Sequence, residues 1–211
     1  KYQLNYQDVT KQQVLDILED INNQYLVTEY INMCDELKAV YDGAVNTVRM
    51  IVFKKDGKNP QIGNAYVRFG SKKTGAVDNV GAGGMTATID VATGHFHDAK
   101  IVMNNSIEDC PIHPDTGVPI DGYLPHWEQV KQQVLDVTKS IKQLEFFGVD
   151  LAVTNDGIKF PEINRFPDYP AVEKYTKPTR EYLLYKLAGK KHHYGYDVTP
   201  NKTLVHLPKR D

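Results

Sequence analysis

The stretch GVDLAVTNDGIKFPEIN, residues 148–164, constrains this chain more than any other part of its sequence. Two β-rich runs flank Asn155-Asp156-Gly157, so residues 146–154 and 158–164 are expected to pair as an antiparallel hairpin. With a three-residue loop and Gly157 in the left-handed conformation, Thr154 pairs with Ile158 and Asp150 falls directly opposite Glu162. Asn164 follows two residues later and shares the face of Glu162. A two-residue loop would instead bring Asp150 opposite Ile163. Facing carboxylates repel across a sheet, so the first register calls for a compensating cation or a shift in protonation. Two acids and an amide oxygen are hard donors that suit Mg²⁺, which completes its shell with water and substrate phosphates. The plainer alternative is a hairpin face whose charges simply hydrate.

The rest of the chain supplies a sheet for that hairpin to join. Residues 46–54 (NTVRMIVFK) are apolar on both alternating faces, as in a strand covered on both sides, and Arg49 is the odd member. A guanidinium there needs an anion, either a bound phosphate or an acid such as Asp150. Residues 64–69, 85–91 and 95–103 read as further strands in a mostly antiparallel middle region, and residues 25–31 (YLVTEYI) as another. Helical spacing appears at residues 10–22, with Asp8 or Thr10 as N-cap, in a short turn at 35–40, near 179–187, and at 126–144, where about five turns are expected. Trp127 on that last helix reads as a core anchor. His95 and His97 read as surface histidines, since no third metal ligand is evident from the spacing, and His192-His193 read likewise.

Composition narrows the function classes. The chain has 211 residues, 41% hydrophobic and 25% charged, with a formal net charge of -2, as in an ordinary globular protein. That balance argues against nucleic acid as the main partner. No apolar stretch approaches the roughly 18 residues of a membrane span. Cys34 and Cys110 have neither metal-ligand nor redox spacing, which favours a cytoplasmic setting. The sequence begins at Lys1 without an initiator Met, as expected of a processed or truncated chain.

The sequence resembles ATP-grasp enzymes, in particular their sugar-transfer-associated branch found with exopolysaccharide and capsule biosynthesis. The resemblance rests on YLVTEYI, NTVRMIVF, VDNVGAGG (residues 77–84), HPDTGVPIDGY (113–123), HWEQV (126–130) and FGVDLAVTNDGIKFPEIN (147–164), in the family's order. It implies an α+β ATP-grasp fold and an ATP-dependent carboxylate–amine or related ligase. Asp150, Glu162 and Asn164 would hold one or two Mg²⁺ ions on the ATP phosphates, and Arg49 would contact the transferred phosphoryl group. Glu29, Tyr30 and Ile31 occupy the hinge that receives adenine through backbone groups, and Asp35 or Glu36 the place of a ribose-binding acid. Asn79, in the Asp78-Asn79 glycine segment, and Arg165 are further candidates for phosphate contact, although glycines there also suit a plain hairpin bend.

The same resemblance implies a single domain over residues 1–211, with 170–211 as a helical extension. Part of the family's N-terminal lid subdomain, with its lysine and glycine-rich loop, is expected to be absent from these residues. A lid or a partner chain is therefore expected to complete the clamp, and these residues alone are expected to bind ATP weakly and to turn it over little or not at all. The implied partners are a small carboxylate and an amine or hydroxyl acceptor. Two other readings remain: a nucleotide-binding module that regulates a partner without turnover, and a β-rich carbohydrate-binding domain with Ca²⁺. Ca²⁺ usually gathers more oxygens than this trio offers.

Overall fold

A computed structural model gives the structure of residues 2–4, 7–20, 28–54, 57–103, 106–165 and 167, with short paired strands at 192–193 and 196–197. The chain divides into two units, Lys1–Tyr30 and Ile31–Asp211. In the first, β1 (Tyr2–Leu4) and β2 (Gln7–Val9) form a small antiparallel hairpin followed by α1 (Lys11–Asp20). Thr10, rather than Asp8, caps this helix. Its hydroxyl accepts from Gln13 N–H (3.2 Å), while Gln13 Oε1 accepts from Thr10 N–H (2.8 Å), a reciprocal capping box.

The strand expected at residues 25–31 is not found where the structure can be read. Residues 25–27 lie outside the described residues, and Thr28, Glu29, Tyr30 and Ile31 join no ladder. β-branched and aromatic content favours a strand only where a neighbour offers hydrogen bonds. Downstream, Met33 and Cys34 turn into the core instead, with Cys34 N–H donating to Val153 O at 2.8 Å.

The second unit is built on an eight-stranded antiparallel sheet. Its strands are β3 (Val48–Phe53), β4 (Gln61–Phe69), β5 (Met85–Ile89), β6 (His95–Met103), β7 (Ser106–Asp109), β8 (Gly122–Tyr123), β9 (Phe146–Thr154) and β10 (Gly157–Asn164). The order is β10-β9-β3-β4-β5-β6-β7, with β8 also on β6. One face carries the main core: Val48, Met50 and Val52 of β3 pack with Val149 and Leu151 of β9 and with Ala65 and Val67 of β4. Two helices contribute to that core, α2 (Asp35–Val40) through Leu37 and Val40, and α3 (Trp127–Lys139) through Trp127, Val130 and Val134. The expected core role of Trp127 holds, and its Nε1–H donates to Val91 O at 2.9 Å. Every residue of β3 is buried, as its two-sided apolar pattern requires.

The helix read over residues 126–144 stops at Lys139. Thr138 and Ser140 turn their hydroxyls back onto the carbonyls of Val134 and Val137 at 2.6 and 2.7 Å. Lys54, at the end of β3, then takes the Ile141 carbonyl with its ammonium group and donates its backbone N–H to Glu145 O at 2.8 Å. Ile141 and Leu144 still pack on the core, so the apolar spacing outlasts the helix itself. The helix read near 179–187 lies outside the described residues. None of the described helices is long and apolar enough to cross a membrane.

Burial of Cys34 has a measurable consequence. Loss of solvation pushes its thiol from 9.0 up to about 11, because the thiolate is disfavoured inside the protein. The unfolded chain ionises first, so this contribution to stability is present below pH 9.0 and is lost as pH rises toward about 11. Urea unfolding across that range should show a loss of up to about 3 kcal/mol. Replacing Cys34 by Ala should flatten this part of the profile, and an identical slope in the variant would contradict the assignment.

Candidate functional site

The β9–β10 hairpin reaches the expected pairing by an unexpected route. Its loop has two residues, Asn155 and Asp156, with Gly157 paired to Thr154 at φ +145°. Continued without interruption, that register would bring Asp150 opposite Pro161. A bulge between Lys159 and Glu162 shifts the count by one and sets Asp150 opposite Glu162 and Gly148 opposite Asn164. Pro161 sits inside that bulge on the sheet's edge strand, where its missing N–H breaks no central ladder. Neither loop considered from sequence is the one formed, yet the first of the two expected pairings is.

On the other side of β9, Asp150 pairs with Arg49 of β3. Arg49 Nε and Nη2 clasp the two Asp150 oxygens, the second contact at 2.9 Å. Both side chains are buried, at 9% and 5% exposure. Of the two anions weighed for Arg49, the structure supplies Asp150. Burial opposes the charge on Arg49. The hydrogen bond to Asp150 and the electrostatic influence of Tyr66, Asp150 and Glu162 outweigh it and hold the guanidinium above its ordinary pKa.

A second arginine completes the centre. Arg68 of β4 donates from Nη2 to Asp150 Oδ2 at 2.9 Å, so one carboxylate lies between two guanidinium groups. Thr47 Oγ1 accepts from Arg68 Nε and Nη2 at 3.1 and 2.5 Å and donates to Asp78. When the Asn164 amide donates to Glu162 Oε1 (2.8 Å), its oxygen accepts from Arg49 Nη2 (3.2 Å). A polar chain thus runs from Asp78 through Thr47, Arg68, Asp150, Arg49 and Asn164 to Glu162. Gly148 makes the reach possible, because a Cβ there would meet Arg49 Cδ at 3.1 Å and Pro167 Cβ at 2.7 Å.

The repulsion between Asp150 and Glu162 is therefore relieved by arginine, and it does not by itself demand a metal. As a donor set, Asp150, Glu162 and Asn164 still suit a hard divalent cation, since all three offer oxygen and Glu162 is exposed. Among the described residues, no group of three or more His, Cys, Asp or Glu side chains converges as a metal cage.

Glu29 and Tyr30 are exposed and belong to the first unit, whereas Ile31 opens the second. Glu36 is exposed in the first turn of α2. Asn155 Oδ1 accepts from Asp35 N–H at 3.1 Å, which sets this pair of acids beside the hairpin's loop. Asn79 Oδ1 accepts from Gly81 N–H at 3.0 Å, the local bend that its glycines suggest. Arg165 is exposed just after β10. His95 stacks between His97 and Tyr123, with ring centroids 4.8 and 4.6 Å away.

Residues 8–171 match the family model described as sugar-transfer associated ATP-grasp. The chain belongs to this family. No curated protein and no solved structure matches it. The matched range contains the whole Arg49–Asp150–Glu162 cluster, and the mixed, mostly antiparallel α+β architecture is consistent with an ATP-grasp chain. Membership points to ATP-dependent, ligase-type chemistry.

Four residues of this cluster, Arg68, Thr47, Asp78 and Gly148, are not singled out in the sequence. Arg68 carried a signal. It alternates with buried Val67 and Phe69 in a strand, the same circumstance that singles out Arg49. Thr47 and Asp78 carried none, because 31 positions that include β3 and β4 separate them in sequence.

Burial separates the two carboxylates energetically. Asp150→Ala should cost about 3–5 kcal/mol in urea unfolding, because it strands a buried guanidinium. Glu162→Gln, at an exposed position, should stay within about 0.5 kcal/mol of the parent. Equal losses in the two variants would contradict this division.

Proposed function

We propose that this chain is the nucleotide- and phosphate-handling part of an ATP- and Mg²⁺-dependent carboxylate–amine or related ligase serving polysaccharide or other cell-surface polymer assembly. One observation supports it above the rest: a buried and a half-buried arginine, two carboxylates and an amide gather on four adjacent strands inside the family-matched range. Asp150, Glu162 and Asn164 would hold Mg²⁺, which supplies charge neutralisation on the ATP phosphates when bound. Asp150 already engages Arg49 through Nε and Nη2, and it engages Arg68 through Nη2. Neither Nη1 takes part in these bonds, and those N–H groups are what the two arginines would offer a transferred phosphoryl group.

The chemistry in this reading is positioning and electrostatics. A substrate carboxylate oxygen attacks the γ-phosphorus, the bond to the ADP oxygen breaks, and an acyl phosphate forms. An amine then attacks the acyl carbon, inorganic phosphate leaves, and the amine's proton passes to solvent. No side chain acts as a nucleophile. Glu29, Tyr30 and Ile31 would receive adenine through backbone groups, Glu36 or Asp35 the ribose, and Asn79 and Arg165 would add phosphate contacts.

The second reading is a nucleotide-binding module without turnover, and the engagement of both Asp150 oxygens by arginine favours it. ADP release with panels of small carboxylic acids and amines distinguishes the two. The ligase reading expects release that depends on both an acid and Mg²⁺; nucleotide binding without any such release would favour the module.

Binding measurements test the site itself. ATP affinity should fall at least tenfold, about 1.4 kcal/mol, when EDTA removes Mg²⁺ and again in Glu162→Gln. Arg49→Met, which keeps apolar bulk in β3, should leave adenosine binding intact while weakening ATP. Mg²⁺-dependent ATP binding of parental strength in Glu162→Gln would contradict the metal assignment.

A further inference from the structure

In the loop between β4 and β5, residues 70–84, the side chain of Asp78 touches the charged centre. Asp78 Oδ2 accepts from the Thr47 N–H at 2.8 Å and from the Thr47 hydroxyl, and it lies 3.4 Å from Arg68 Nε. Its side chain is 13% exposed, against 19% for Arg68. We propose that Asp78 is the positioning residue for Arg68, and that seating the loop and orienting the guanidinium are one event. This rests on the reading that Arg68 contacts the transferred phosphoryl group.

The physical case is one of restraint. An arginine side chain has a long flexible stem, and a single contact through Nη2 to Asp150 would leave its plane free to turn. Thr47 Oγ1 and Asp78 fix the Nε edge. With both edges held, Nη2 meets Asp150 while Nη1 stays out of these contacts, so its N–H groups are preorganised for an anion. Without Asp78, the Thr47 hydroxyl would lose the acceptor that orients it and Arg68 the charge beside Nε, so the Nε edge would rest on Thr47 Oγ1 alone.

The loop is built to bring Asp78 there. Its start is held by His113, whose Nε2–H donates to Gly70 O at 2.9 Å, and by Asp115, which accepts from Lys72 N–H at 2.7 Å. Near its end, Gly83 takes φ +107°, and Gly84 approaches Phe69 O and Asn79 O so closely that a Cβ would lie 2.8 and 2.9 Å from them. Asp78 lies between these two anchored ends.

The test uses the ¹⁵N-labelled full chain. Solvent exchange of the Arg68 Nε–H is followed by NMR, and affinities for Mg²⁺-ATP and adenosine are measured by calorimetry. Asp78→Asn and Thr47→Val should speed Arg68 Nε–H exchange about tenfold or more, leave that of Arg49 unchanged, and weaken ATP about tenfold with adenosine within about twofold. Thr47→Ser, which keeps the hydroxyl, should restore both readouts. Unchanged Arg68 exchange in Asp78→Asn, or parallel losses of ATP and adenosine, would overturn the proposal. Arg68→Met separates the two claims. If it weakens ATP while Asp78→Asn does not, positioning by Asp78 is wrong; if Arg68→Met leaves ATP affinity unchanged, the phosphate reading beneath the proposal fails.

Discussion

Burying the Asp150 carboxylate is the constraint on which the rest of this site depends. An ionised acid at 5% exposure is tolerated only when its charge and its lone pairs are met, and here Arg49 meets them side-on while Arg68 adds a third contact. Arg49 is held in turn by the strand that presents it, since β3 is buried along its whole length and its apolar neighbours fix the backbone. The pair adds little net stability compared with an apolar replacement, but breaking it is costly.

The sheet gives the pair its setting. Antiparallel pairing lines up Glu162, Asp150, Arg49 and Tyr66 across β10, β9, β3 and β4, and the line continues to Thr88 and His97 on β5 and β6. Alternate residues on the same strands, such as Val149, Met50 and Ala65, face the core. Period-two geometry thus sorts one sheet into a packing face and a polar row, and a shift of one residue would exchange them. The bulge before Glu162 matters for that reason, because it restores on the edge strand a register that the short loop would have misplaced.

Much of this was legible in the sequence, for identifiable reasons. The hairpin was, because Asn-Asp-Gly between two β-rich runs has few other solutions, and so was β3, whose continuous apolar run leaves Arg49 in need of an anion. The loop type was not, since a bulge at Pro161 and a change of one residue in the loop cancel in their effect on Asp150 and Glu162. The end of α3 was hidden for a different reason: apolar spacing continues through Ile141 and Leu144, while the Ile141 carbonyl, just past the helix, is taken by Lys54, far away in sequence. Arg68 and Asp78 belong to that class too. Their partners come from a separate strand and a loop, and only the folded chain brings them together.

In the proposed function, the acids and amide of β9 and β10, next to the arginine pair, form the metal- and phosphate-binding centre. Mn²⁺ in place of Mg²⁺ tests this most directly, because its unpaired electrons broaden the NMR signals of nearby groups. With ADP and substoichiometric Mn²⁺, such a centre should show selective broadening of the amide signals of Asp150, Glu162 and Asn164 and of the Arg49 and Arg68 Nε–H groups. Broadening centred on His95 and His97, with the β9–β10 hairpin unaffected, would contradict it.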